Sequence, residues 1–127
     1  MKFELRDPPR RFTVGAQGEI TLSDCGRLAL QPDEQVTFVT AEGAEYDVVR
    51  KDWGFYATPS INGRLQHFGW RSALVLSPNN RLFLLLVAPG QLPAFQDYLR
   101  HEGLRLLCWL DDPATLRQLA ALPAPHA

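Results

Sequence analysis

The sequence predicts an α+β fold: an antiparallel sheet or small, partly open barrel of about seven strands, with two short C-terminal helices. Three observations carry this. The first half alternates apolar and polar residues in short runs separated by turn chemistry. "SALVLSPNNRLFLLLV" has the form of a β-hairpin. Two amphipathic stretches near the end carry helix start and stop signals.

In the first half, "EITLS" (19–23) places Ile20 and Leu22 on one face, and "RLAL" repeats the pattern at Leu28 and Leu30. "QVTFVT" (35–40) is rich in β-branched residues, and "EYDVV" follows it. The intervening "VGAQG", "SDCG", "QPDE" and "AEGA" read as turns. Short strands with short connections predict a meander or a small barrel.

In the hairpin, Pro78 suits the first central turn position, and Asn79 or Asn80 tolerates the left-handed conformation. "LFLLLV" is apolar at every position, which predicts a central strand covered on both faces. Leu84 and Leu86 from that run, with Leu106 and Cys108 from "LRLLCWL", are the expected core. In "QLPAFQDYLRHEG", Leu92, Phe95 and Leu99 make an apolar stripe, Pro93 fits the first turn and Gly103 the position past the end. In "DDPATLRQLAAL", Asp112 is the expected N-cap and Pro113 the first helical residue. The tail "PAPHA" reads as frayed.

A chain of 127 residues fits one domain, 1–127. Its 46% apolar and 21% charged residues are an ordinary globular balance. The net charge of −1 supplies no general attraction to nucleic acid or an anionic membrane. Eleven arginines against two lysines read first as the mark of a GC-rich, bacterial-type genome. Cys25 and Cys108 form no Cys-x-x-Cys pair, and the three histidines are scattered, so no metal site and no cofactor are expected. The N-terminus lacks the apolar segment of a signal peptide, and the longest apolar run is far short of a membrane span. A cytoplasmic protein is the expectation.

One stretch departs from regular periodicity. "KDWGFYATPSINGRLQHFGW" (51–70) holds five aromatics and three glycines among polar groups. Thr58, before Pro59, is expected to be extended. Asn62-Gly63 is a tight-turn signal. If the segments around "WGF" and "FGW" pair antiparallel, that turn lies near the tip between them. Trp53, Phe55 and Phe68 then read first as core, because large rings bury well. Arg50-Lys51-Asp52 reads equally as a solvated turn or as part of a ligand site.

Around these rings, Arg50, Asp52, Tyr56, Asn62, Arg64, His67, Trp70 and Arg71 lie within 22 consecutive residues. Flat rings cover the apolar face of a sugar or stack on a base. Asn and Asp give directional hydrogen bonds, and Arg64 or Arg71 suits a carboxylate or phosphate. The leading reading is therefore a binding or accessory domain for a small polar ligand, with an anionic sugar or nucleotide-sugar as the best match. An alternative is a small enzyme on such a substrate, with His67 as acid/base oriented by Asp52. A third reading is a structural homodimer without a small ligand, since Trp, Tyr and Arg are frequent interface anchors.

Overall fold

The computed structural model describes residues 1–57 and 59–126. Thr58, with its expected extended conformation, and the last residue of the tail lie outside the described residues. Among these residues, eight strands and three short helices make an α+β architecture in which every strand pair is antiparallel. The strands form one two-stranded and two three-stranded sheets, none closed into a barrel. Internal contacts divide the chain into two compact units, Met1–Pro59 and Ser60–Ala127. No described helix is long and apolar enough to cross a membrane.

The first unit opens with a long ribbon in which β1 (Lys2–Val14) pairs with β2 (Ile20–Ala29). The sequence reading divided β2 in two, with "SDCG" as a turn. The structure instead runs the strand through it and shifts register between Leu5 and Arg10 of β1, where Pro8 and Pro9 stand. The extra residues, 6–9 of β1 opposite Cys25, make a β-bulge. Gly26 has φ of 148°, and a Cβ there would collide with the Glu4 carbonyl oxygen. The Asp24 carboxylate accepts the Gly26 N–H at 3.2 Å and Arg10 Nη2 at 3.3 Å, with Arg6 Nε also at 3.3 Å. The Gly26 N–H and these two guanidinium groups hold the Asp24 carboxyl below the usual aspartate range, against a smaller desolvation effect.

A lowered folded pKa stabilises the fold fully above the ordinary aspartate range and loses that contribution as pH falls through the lowered value. The bulge is thus expected to loosen in acid. Amide-exchange protection of Gly26 should drop as pH falls from about 5 to about 2. Protection that stays flat across that interval would show that Asp24 does not hold the bulge.

In the second sheet, β3 (Gln35–Val39), β4 (Glu45–Lys51) and β5 (Gly54–Ala57) pair in sequence order. The β3–β4 turn uses Gly43 at φ 90°, and Thr40 N–H donates to the Ala44 carbonyl at 3.1 Å. The Arg50 carbonyl accepts the Asp33 N–H at 2.7 Å and the Arg50 N–H donates to the Glu34 carbonyl at 3.0 Å, fixing the approach to β3 against the end of β4.

The second unit runs α1 (Arg64–His67), β6 (Arg71–Leu76), β7 (Leu82–Val87), α2 (Leu92–Glu102), β8 (Arg105–Trp109) and α3 (Pro113–Ala120). The β6–β7 hairpin forms as the sequence predicts, with Asn80 left-handed at φ 63° and the Arg81 N–H donating to Ser77 Oγ at 3.0 Å. Gly103 ends α2 at φ 66°, and Asp112 caps α3 by accepting the Thr115 N–H at 3.3 Å.

The central strand, however, is β6 and not β7: the order is β7-β6-β8. Ser72, Ala73 and Val75 of β6 are fully buried, while Leu84 of β7 is 49% exposed. Leu86, Leu106 and Cys108 are half-buried rather than core. The uninterrupted apolar run belongs to an edge strand. The Ser72 backbone of that central strand ties in the next segment: its N–H donates to Asp111 and its carbonyl accepts the Leu110 N–H at 2.8 Å.

Candidate functional site

The eight candidate residues, close in sequence, fall in two compact units. Arg50, Asp52 and Tyr56 belong to the first unit, and Asn62, Arg64, His67, Trp70 and Arg71 to the second. "WGF" and "FGW" are not paired strands. "WGF" sits at the β4–β5 turn, where Lys51 pairs with Gly54 across Asp52 and Trp53. Asn62-Gly63 leads into α1, and "FGW" links α1 to β6. Asn62-Gly63 does close a turn, the Gly63 N–H donating to the Ser60 carbonyl at 3.2 Å, but the turn leads into a helix: Ser60 Oγ accepts the Arg64 N–H at 3.1 Å, and the Gly63 carbonyl accepts the His67 N–H at 2.9 Å.

The β4–β5 hairpin exposes its rings. Trp53 is 71% exposed and Phe55 63%, which corrects their assignment to the core. The reason is positional: Trp53 occupies the turn and Phe55 an edge strand of the sheet. Tyr56 is 44% exposed, and its ring stacks on Trp53 with centroids 6.2 Å apart and planes 18° from parallel. Beside the turn, Lys51 Nζ pairs with the Asp33 carboxylate, whose hydrogen bond and charge raise the lysine above its ordinary value. Asp52 is exposed in the turn itself. Arg50 is tied to the backbone. Its Nε donates to the Lys51 carbonyl at 2.8 Å and its Nη1 to the Leu30 carbonyl at 3.1 Å.

In the second unit, Asn62, Arg64 and His67 are exposed, and Trp70 is half-buried. The His67 ring lies 6.0 Å from that of Phe68, which is itself half-buried. Arg71 is engaged within the fold. Its Nε donates to buried Asp111 at 3.1 Å, and its guanidinium lies 4.0 Å over the Trp109 ring. Asp111 also accepts the Ser72 N–H at 3.2 Å. The sequence reading missed Trp109 and Asp111. The signal available was the pair Asp111-Asp112 before a proline, where one acid caps the helix and the other turns inward.

A shallow apolar groove of about 260 Å³ also lies in this unit, lined by Leu86, Val87, Gln91, Ala94, Phe95 and Tyr98 among others. None of the eight candidate residues lines it. Among the described residues, no three His, Cys, Asp or Glu side chains gather as a metal site.

Comparison with known proteins returns no match: no family model, curated protein or solved structure matches this chain. The functional reading therefore rests on the geometry alone. Two stacked, exposed rings beside a compensated Lys–Asp pair suit the capture of a flat, partly apolar ring whose rim is polar.

Proposed function

We propose that this chain is a non-catalytic binding domain whose recognition surface is the β4–β5 hairpin, and that its ligand presents a sugar ring. The observation that carries this is the exposed stack of Trp53 and Tyr56. An aromatic face covers the C–H face of a sugar without demanding a deep pocket. Lys51, Asp33 and Asp52 stand close in the same sheet and its approach, and they offer donors and acceptors to hydroxyl groups. Arg71, one of the two arginines that suggested an anionic ligand, is engaged with Asp111, and Arg50 is tied to backbone carbonyls. The ring, rather than a charge, is the feature the hairpin recognises.

The test is a tryptophan-fluorescence titration with neutral sugars, acidic sugars and sugar nucleotides, run on the wild type and on Trp53→Ala. A sugar in at least one class is expected to change the emission. Loss of Trp53 should weaken that binding by about tenfold, or about 1.4 kcal/mol. The substitution should leave stability within about 0.5 kcal/mol, since the side chain is largely solvated. Unchanged emission across the panel at millimolar concentration, or wild-type affinity in Trp53→Ala, would remove this reading. A response confined to acidic sugars would move recognition to charge.

A further inference from the structure

Asp33 holds a conformation that a glycine would hold more easily. In the turn Gln31–Glu34, the Glu34 N–H donates to the Gln31 carbonyl at 3.1 Å. Pro32 takes the second position, and Asp33 takes the third with φ of 68°. A turn with proline second and a left-handed third residue prefers glycine there, because a Cβ is crowded in that region. The carboxylate is what aspartate adds. It accepts a hydrogen bond from Lys51 Nζ, and the Asp33 side chain is still 74% exposed. An exposed ion pair contributes little stability, so folding alone does not account for the aspartate.

The pair lies beside the aromatic stack. Lys51 stands opposite Gly54 across β4 and β5, and Val49 opposite Tyr56. Side chains alternate along a strand, so Lys51, Val49 and Tyr56 share one side of the sheet. Lys51 and Tyr56 are diagonal neighbours there, a separation that long side chains span. The Asp33 hydrogen bond and charge lead the upward shift of the Lys51 ammonium, and a charge interaction with Tyr56 adds to it. Trp53 stacks on the same Tyr56.

We propose, on the reading of the hairpin as a sugar platform, that Lys51 and Asp33 together read two adjacent hydroxyl groups of the bound ring, so that the ligand is a neutral sugar with a vicinal diol. One hydroxyl accepts from the Lys51 ammonium, and its neighbour donates to the Asp33 carboxylate. The spacing matches. Hydroxyl oxygens on neighbouring carbons of a pyranose, unless both are axial, stand close to one hydrogen-bond length apart, as do a donor and an acceptor in contact. Both bonds are charge-assisted, so the loss of either hydroxyl is strongly felt. The pair carries no net charge, and Asp52 is exposed in the adjoining turn, so an anionic sugar gains nothing from it.

Two substitutions separate this role from a structural one. Lys51→Met keeps an aliphatic stem and removes the donor. Asp33→Gly removes the carboxylate at a position whose backbone suits glycine. The chain should then fold as before, with a melting temperature within about 4 °C of the wild type. Asp33 also orients the Lys51 ammonium, so its loss should affect both hydroxyl contacts.

Tryptophan-emission titrations of the wild type, Lys51→Met, Asp33→Gly and Trp53→Ala test this, with neutral methyl hexopyranosides and their singly deoxygenated analogues as probes. For the hexoside that binds, removal of either of two adjacent hydroxyl groups should weaken wild-type binding about tenfold. Lys51→Met should lose about tenfold on the parent hexoside, but at most about twofold on the analogue lacking the hydroxyl that Lys51 binds. Asp33→Gly should lose at least as much as Lys51→Met on the parent. A merely structural pair would lower every affinity alike. Binding that needs Trp53 but ignores Lys51→Met and Asp33→Gly, or equal losses on parent and analogue, would overturn the diol inference and leave the ring platform standing. No hexoside bound at millimolar concentration would overturn both. A melting temperature far below the wild type in Asp33→Gly would make the pair structural and overturn the proposal as well.

Discussion

Leu65→Ala is expected to cost about 2–5 kcal/mol of unfolding free energy, because its side chain fills a closed site that can relax only in part. Leu65 is 2% exposed, although it lies in a helix of four residues, Arg64–His67. It is the one apolar residue in "NGRLQH", and it anchors that turn to the second unit. Leu84→Ala makes the informative contrast. Half its surface is already in water, so its removal should cost about 1 kcal/mol or less. Urea unfolding of the two variants, followed through tryptophan emission, measures the difference. A larger loss at Leu84 would contradict the assignment of β7 to an edge.

Asp111→Ala is expected to destabilise by about 1–3 kcal/mol, chiefly because the buried Ser72 N–H loses its acceptor. The ion pair adds less, since the Arg71 side chain is 42% exposed and stays partly hydrated. Asp111→Asn keeps an acceptor for Ser72 and should recover most of the loss. Arg71→Ala should also destabilise, because it removes the cation from Trp109 and leaves the buried carboxylate with one partner fewer. Thermal melts of the three variants separate these effects. Wild-type stability in Arg71→Ala would contradict a structural role for its contacts with Asp111 and Trp109.

What was legible in the sequence was local. Asn80 in the hairpin turn, Gly103 after α2 and Asp112 before α3 act through their immediate neighbours, and the structure places each as expected. Burial was less legible because it depends on what lies opposite. "LFLLLV" looks more central than "RSALVL", yet only β6 has a strand on each side. Trp53 and Phe55 looked like core because they are large, yet a turn and an edge strand leave both largely in solvent. Pro8-Pro9 and Asp24-Gly26 use the vocabulary of turns to build a bulge inside a ribbon. The candidate site suffered from the same limit. The stretch from Arg50 to Arg71 crosses from one unit to the other, a boundary that closeness in sequence did not mark. Arg71, a candidate ligand group, also meets Asp111, 40 residues away, a contact that closeness in sequence could not show.

The claim that the β4–β5 hairpin is the recognition surface is tested most directly by amide chemical-shift mapping. The labelled wild-type chain would be titrated with mixed neutral and acidic sugars and sugar nucleotides at millimolar concentration. The account predicts that the largest changes fall on residues 51–57, with the indole N–H of Trp53 among them. Changes centred on residues 62–71 or on the groove at Phe95 and Tyr98, or no changes at all, would contradict it.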